Sequence, residues 1–234
     1  MSTRLATLAL LTLVSSPIAA MAQTEAEPPV RPPTVEIGGG IGWFGQADAG
    51  TRDATMTANQ PGDPDRLNFF SATGKTRSGP AGIGIIGVNF SRHFGVEGGF
   101  QYSRPRLVID VDVDVEHTPG VTIEGDAFDQ FVAEGNFIYH FNQARFDNRR
   151  TVPFVLAGVG ALRQKTDDGI TENGTIYQAG LGFKWFSGIS SRGRAGGPGM
   201  RLDVRYVFRD GGLDFEEDAR RSFFTFTATA LFGF

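Results

Sequence analysis

The last twelve residues, FFTFTATALFGF from Phe223 to Phe234, constrain the fold more than any other stretch of the chain. Read backwards in steps of two, Phe234, Phe232, Ala230, Ala228, Phe226 and Phe224 fall together, as do Gly233, Leu231, Thr229, Thr227 and Thr225. A period of two is the mark of an extended strand, whose successive side chains point to opposite faces. One face is apolar and aromatic, and the other is small and largely polar. The pattern runs to the final residue, where a strand frays unless its backbone is paired.

The same alternation recurs upstream. Segments at about 34–44, 80–92, 96–103, 130–141, 152–164, 175–186 and 200–209, with the C-terminal run, bring the strand count to eight. In the first, Val35, Ile37, Ile41 and Trp43 oppose Glu36, Gly38, Gly40 and Gly42. In the sixth, Tyr177, Leu181, Phe183 and Trp185 oppose Gln178, Gly180, Gly182 and Lys184. In the seventh, Leu202, Val204, Tyr206 and Phe208 oppose Arg201, Asp203, Arg205 and Arg209. The fifth alternates poorly, and its faces stay unassigned. A tilted strand needs roughly 9–11 residues to cross a bilayer, and these segments are long enough. The sequence thus predicts an all-β fold: an eight-stranded antiparallel transmembrane β-barrel, up-and-down in topology, with both termini on the periplasmic side. Connections at about 45–79, 108–129, 165–174 and 210–221 would lie outside the cell. Turns near His93, at 142–151 and at 187–199 would lie in the periplasm, the last two longer than such turns usually are.

Residues 1–22 carry one basic residue (Arg4), an apolar run from Leu5 to Val14, and Ala20-Met21-Ala22. That order reads as a cleaved secretory signal peptide. Its apolar run is too short to span a bilayer as a helix, and no other stretch approaches 18 consecutive apolar residues. Residues 23–33 form a Pro-rich periplasmic leader, and 34–234 form the barrel. Loss of Arg4 with the signal moves the formal charge from −4 to −5, which argues against nucleic acid as a partner. With no cysteine, the chain has no disulfide and no thiolate metal site.

Alternation alone does not say which face turns outward, because a soluble ligand-binding barrel would put its apolar face inside. The aromatic residues near strand ends suit the interfacial girdles of a membrane barrel. The opposite faces carry Glu36, Glu97, Glu134, Lys184, Arg201, Asp203 and Arg205, which suit a narrow polar lumen.

VPFVLAGVGAL (152–162), RLDVRYVF (201–208) and the terminal ALFGF, together with the signal peptide and eight strands, resemble the OmpA/OmpX-type family of bacterial outer-membrane barrels. The resemblance covers essentially the whole mature chain. It implies a Gram-negative outer-membrane location and contact with outer-membrane lipid and lipopolysaccharide. It implies recognition by the barrel-assembly machinery through the C-terminal strand, with Phe232 and Phe234 as the insertion signal. It also implies a monomer, since a closed barrel leaves no strand edge needing a partner. OmpA itself continues into a peptidoglycan-binding domain; this chain ends at the eighth strand, so that role is not carried over.

Several residues invite a functional reading. The lumen charges must pair, because an unpaired charge in a narrow interior is costly. They form either a salt-bridged plug, the favoured reading, or the lining of a narrow porin-like channel. Arg104 and Arg106 would face outward near lipid phosphates, to which forked guanidinium groups are suited. Asp110, Asp112, Asp114 and Glu116 alternate with valines, and Thr122, Glu124 and Asp126 would sit on a returning strand. A solvated acidic hairpin protecting a sheet edge explains this pattern better than a divalent-cation site. Residues 51–80 read as a long loop without secondary structure, able to meet a surface partner. His93, His117 and His140 have no evident serine partner, so no catalytic residue is assigned and an enzyme acting on outer-leaflet lipid is the least favoured reading. Neither a cofactor nor a metal site is assigned. The expected function is non-enzymatic: envelope integrity, with external loops available for recognition.

Overall fold

The computed structural model describes residues 31–56, 67–113, 120–142, 150–189, 193–212 and 220–234. The signal peptide and most of the leader lie outside them. The strands are β1 (Val35–Phe44), β2 (Ala47–Met56), β3 (Leu67–Thr76), β4 (Gly79–Asn89), β5 (Phe94–Ser103), β6 (Arg106–Val113), β7 (Val121–Ala127), β8 (Asp129–His140), β9 (Thr151–Lys165), β10 (Thr171–Ile189), β11 (Ala195–Gly211) and β12 (Arg220–Gly233). Eight of them close into an antiparallel barrel in the order β1-β12-β11-β10-β9-β8-β5-β4, with β4 returning to β1. The predicted all-β barrel is therefore present, and its C-terminal strand is paired on both sides. The β1–β12 seam runs from Glu36 opposite Gly233 to Phe44 opposite Thr225. On its other flank β12 pairs with β11, from Gly197 opposite Gly233 to Asp210 opposite Arg220.

Side chains divide between the two surfaces as the alternation requires. Outward residues stay exposed, among them Ile41 at 70%, Phe90 at 62% and Phe234 at 62%. Aromatic rings gather near both rims. Phe94, Tyr139 and Phe141 cluster at the end that holds the termini, where Phe232 and Phe234 pack with centroids 4.9 Å apart. At the far end Tyr102 meets Phe131, and Tyr206 meets Phe224. The faces of β9 are now clear: Val152, Phe154, Leu156, Leu162 and Gln164 point in, while Val155 and Val159 point out. Apolar residues occupy both faces, so the sequence shows no alternation there. Close strand approach on the inner wall needs glycine: a Cβ added to Gly40 would lie 2.0 Å from the Ala228 carbonyl oxygen.

Two expectations about the connections need correction. The connections at 45–79 and 108–129 are not plain loops, because they supply a second sheet in the order β2-β3-β6-β7 at the end away from the termini. The β3–β6 register, from Phe70 opposite Val113 to Thr76 opposite Leu107, joins segments from different connections. The sequences of β2 and β3, ADAGTRDATM and LNFFSATGKT, have no clean alternation, so only this non-local pairing reveals them as strands. The acidic comb does return as a hairpin, with Asp110 opposite Thr122. It does not guard an edge, however, since β6 is bonded on both sides and the edges belong to β2 and β7. Asp114, Glu116 and His117 lie outside the described residues. Secondly, the expected turn at 187–199 is shorter than the sequence suggested. Strand β10 runs to Ile189 and β11 starts at Ala195, across a register shift between Phe186 and Gly188.

The end of the leader is also held in place. Arg31 bridges Arg194, and both Pro32 and Pro33 are buried against the barrel. Asn89 Nδ2 donates to the Pro33 carbonyl at 2.8 Å, fixing this segment across the terminal end of the lumen.

Candidate functional site in the barrel lumen

Every charged residue assigned to the polar face is brought inside. Glu36, Glu97, Glu134, Lys184, Arg201, Asp203 and Arg205 are all buried. They arrive from five strands, β1, β5, β8, β10 and, for three of them, β11, because inward positions recur at every second residue of each strand. Only the glutamate and lysine positions of separate strands could not be matched to one another from sequence, since that needs the barrel registers.

The charges form one closed circuit and one separate pair. Asp203 joins the two arginines of its own strand: Arg201 Nε donates to Oδ2 at 2.7 Å, and Arg205 Nε donates to Oδ1 at 2.6 Å. Arg201 continues to Glu97, and Arg205 to Glu134. Asn136 completes the ring by donating to Glu134 at 3.1 Å and to Glu97 at 3.5 Å. Gln101 donates to the other oxygen of Glu134 at 2.7 Å, and Gln178 donates to Asn136 at 2.6 Å. Nearer the terminal end, Lys184 Nζ donates to Glu36 at 2.5 Å, while Asn89 donates to the second Glu36 oxygen at 2.7 Å. Phe154 lies between the two groups. Its ring centroid is 4.6 Å from the Arg201 guanidinium carbon and 5.3 Å from Lys184 Nζ, within range of a cation–π contact.

This arrangement meets most of the physical requirement for burying charge, although Arg201 Nη2 and Gln178 Oε1 form no hydrogen bond among the described residues. A buried ion pair repays its desolvation only when geometry is good and the remaining polar atoms are bonded. Here carboxylates meet guanidinium forks, and amides fill the spare positions. Four buried acids, Glu36, Glu97, Glu134 and Asp203, face four buried bases, Lys184, Arg201, Arg205 and Arg209. Arg209 belongs to this balance although the sequence reading had placed it only on the polar face of its strand. Also drawn into the lumen are His140, whose Nε2 lies 3.4 Å from Lys184 Nζ, and Gln164, which donates to Gln130 at 2.7 Å. Gln164 was missed because the faces of its strand could not be read.

Apolar layers flank the charges. Val132, Leu162, Ile176 and Val207 cluster with Phe223 toward the end away from the termini. The cavity beside them measures about 20 Å³, close to the volume needed for one water molecule. Ile138, Phe154 and Leu156 pack toward the other end. The lumen is thus filled by side chains, as eight strands permit.

The remaining candidates are less concentrated. Arg104 and Arg106 are both exposed, Arg104 in the connection after β5 and Arg106 at the start of β6 in the second sheet. Arg104 contacts Asp167 at 3.3 Å and Asp129 at 3.8 Å on the barrel rim, whereas Arg106 reaches Glu124 of the second sheet at 3.9 Å. His93 accompanies the His140 backbone carbonyl at 3.2 Å and stacks on Tyr139. Among the described residues no cluster of His, Cys, Asp and Glu is placed to hold a metal ion. In the second sheet Asp110 accepts from Thr122 at 2.9 Å and from Lys75 at 3.1 Å, which holds its carboxyl below the usual carboxylate range.

No protein-family model matches the chain, and no curated protein sequence matches it significantly. Among solved structures, it is similar to the outer membrane protein OprG from Pseudomonas aeruginosa, with a TM-score of 0.54 and 12% sequence identity over 88% of this chain and 97% of that one. At that identity the likeness is one of fold, and it agrees with the closed antiparallel barrel described above.

Proposed function

We propose that the chain is a bacterial outer-membrane β-barrel whose lumen is sealed and whose role is non-enzymatic. In this reading it supports envelope integrity and presents the β2-β3-β6-β7 sheet outside the cell for recognition. The observation that carries it is the closed charge circuit around Asp203, set inside a barrel whose outer wall is apolar. Such a wall is stable only against lipid, and every backbone polar group in a closed barrel is paired, as lipid demands. The OprG likeness and the resemblance to OmpA/OmpX-type barrels support the same placement. The termini would then be periplasmic and the second sheet external.

Two other readings weigh less. A narrow porin-like channel needs a continuous water path, and the paired charges and apolar layers weigh against one. A barrel enzyme acting on outer-leaflet lipid would need an accessible nucleophile and base, whereas the approach of His140 to Lys184 is buried inside the lumen, away from lipid. The test is single-channel recording of the refolded mature chain in a planar bilayer, after a heat-modifiable gel shift has established folding. A silent bilayer is the expected result. Discrete steady current steps would refute the sealed lumen and favour the channel.

A further inference from the structure

The outer wall of β5, β8 and β9 carries a rim of cations directly above a hollow. Along β9 the outward positions near the far end are Arg163 and Lys165, both exposed. Arg163 lies opposite Phe131, itself opposite Tyr102, and Lys165 lies opposite Asp129. Arg104 reaches the same place from the end of β5, contacting Asp129 and Asp167. Tyr102 donates to Asp129 at 2.8 Å, which leaves that carboxylate doubly engaged. Arg163 and Lys165 form no ion pair among the described residues, although the wall has carboxylates close by. Exposed cationic side chains without an ion pair at the upper limit of an apolar belt are free to meet an anion from outside the protein.

One outward step below Arg163, Ala161 lies opposite Ala133. Ala133 forms part of the floor of a shallow hollow of about 640 Å³, with Gly84 and Gly98 beside it and with Ile86 and Phe100 as walls. The hollow exists because Gly84 of β4 and Ala133 of β8 both lie opposite Phe100, and the next outward position of β5 is Gly98, so small residues surround that ring. It is mostly apolar, with Glu134 also in its lining, and it is open toward the surroundings. Cations at the rim and a mostly apolar hollow beneath them match one ligand chemistry: a lipid with a phosphate-bearing headgroup.

The geometry points to a binding site for a phosphorylated glycolipid of the outer leaflet, with phosphate held by Arg163, Lys165 and Arg104 and one acyl chain lying in the Gly84–Gly98–Ala133 hollow. The inference rests on the outer-membrane reading above, which sets this rim in the outer leaflet. Guanidinium and ammonium groups bind phosphate through charge-assisted hydrogen bonds, and Arg163 supplies the bidentate fork. Asp129 and Asp167 hold Arg104 at the rim, so the site is partly ordered before lipid arrives.

The refolded mature chain in neutral-detergent micelles is titrated separately with purified lipopolysaccharide, the same material stripped of phosphate, phosphatidylglycerol and inorganic phosphate. The unfolding midpoint is read by heat-modifiable gel shift. Lipopolysaccharide should raise the midpoint, while the dephosphorylated form, phosphatidylglycerol and inorganic phosphate should each raise it far less. The variant Arg104→Gln/Arg163→Gln/Lys165→Gln should bind lipopolysaccharide about tenfold more weakly while unfolding normally without it. Gly84→Leu tests the hollow independently: a Cβ at Gly84 meets nothing within 4 Å, so the variant should fold, yet its side chain occupies the groove and should weaken the same response. An unchanged lipopolysaccharide response in both variants overturns the site. An equal response to dephosphorylated glycolipid, to phosphatidylglycerol or to inorganic phosphate overturns the assignment of the ligand. A wild-type chain that will not fold in micelles or bilayers overturns the membrane reading together with the site, whereas one that folds but ignores lipopolysaccharide overturns the site alone.

Discussion

Replacing Glu36 by Gln isolates the worth of one lumen charge. Glutamine keeps the shape of the side chain and keeps an acceptor for Asn89, so the main loss is the negative charge facing Lys184 at 2.5 Å. Both side chains are 1% exposed, so water cannot enter to solvate the stranded ammonium without opening the barrel. Removing one partner of a buried pair costs about 3–5 kcal/mol, most of it the penalty of leaving the other charge uncompensated. Lys184→Met should cost a similar amount, because Glu36 then keeps only the neutral Asn89 donor. The double variant Glu36→Gln/Lys184→Met removes both charges and should be more stable than either single variant, giving a coupling energy of at least about 3 kcal/mol in the cycle. The assay is reversible urea unfolding from lipid vesicles, followed by fluorescence of the two tryptophans, Trp43 and Trp185. A cost below about 1 kcal/mol for Glu36→Gln, as for a solvent-exposed pair, would refute the claim that this part of the lumen is dry. Strict additivity of the two single variants would refute the pairing itself.

Three further outcomes are expected. Lowering the pH should loosen the second sheet: a carboxyl held below its usual range by Thr122 and Lys75 stabilises the fold above its ordinary value near 3.9 and loses that contribution as pH falls through the lower folded value, so amide protection in β6 and β7, taken relative to the intrinsic exchange rate at each pH, should fall between pH 4 and pH 2 and stay unchanged from pH 7 to pH 5 (roughly, on the reference value for aspartate). Gly40→Ala should lower stability by about 1–3 kcal/mol or more through overpacking, whereas Gly84→Ala, which points into open space, should fold normally; the contrast is read on gel-shift yields, and equal yields would contradict the assigned faces. Deleting Phe234 should leave refolding into detergent intact but lower the amount of barrel assembled in cells, if the terminal aromatic pair is read by the assembly machinery; normal assembly would remove that role.

The barrel strands were legible because each buries one face and exposes the other, and a period of two survives any error in strand ends. The lumen charges were legible for the same reason: once Leu202 and Val204 face out, Arg201, Asp203 and Arg205 must face in. What remained hidden was the partnership between strands. That Arg205 meets Glu134 and Lys184 meets Glu36 depends on registers fixed across the whole closed wall, not on any local spacing. β9 hid its orientation because an inward face built from Val152, Phe154 and Leu156 looks like its outward one. β2 and β3 were hidden more deeply, since neither sequence alternates cleanly between apolar and polar residues and each becomes a strand through its neighbour.

The joining of β3 to β6 changes what surface variation this protein can tolerate. Connections of a small barrel ordinarily drift independently, each accepting insertions without consulting the next. Here the two are sewn together by backbone hydrogen bonds, across the intervening β4–β5 hairpin. A residue gained or lost within β3 shifts its register against β6 and turns every later side chain to the opposite face. Change in this region must therefore come as substitution of outward side chains, or at the tips beyond the paired residues. For anyone wishing to display a foreign peptide on the barrel, the short turn between β9 and β10 is the safer graft point, since its Gly169 already adopts a φ of 86° in a self-contained bend.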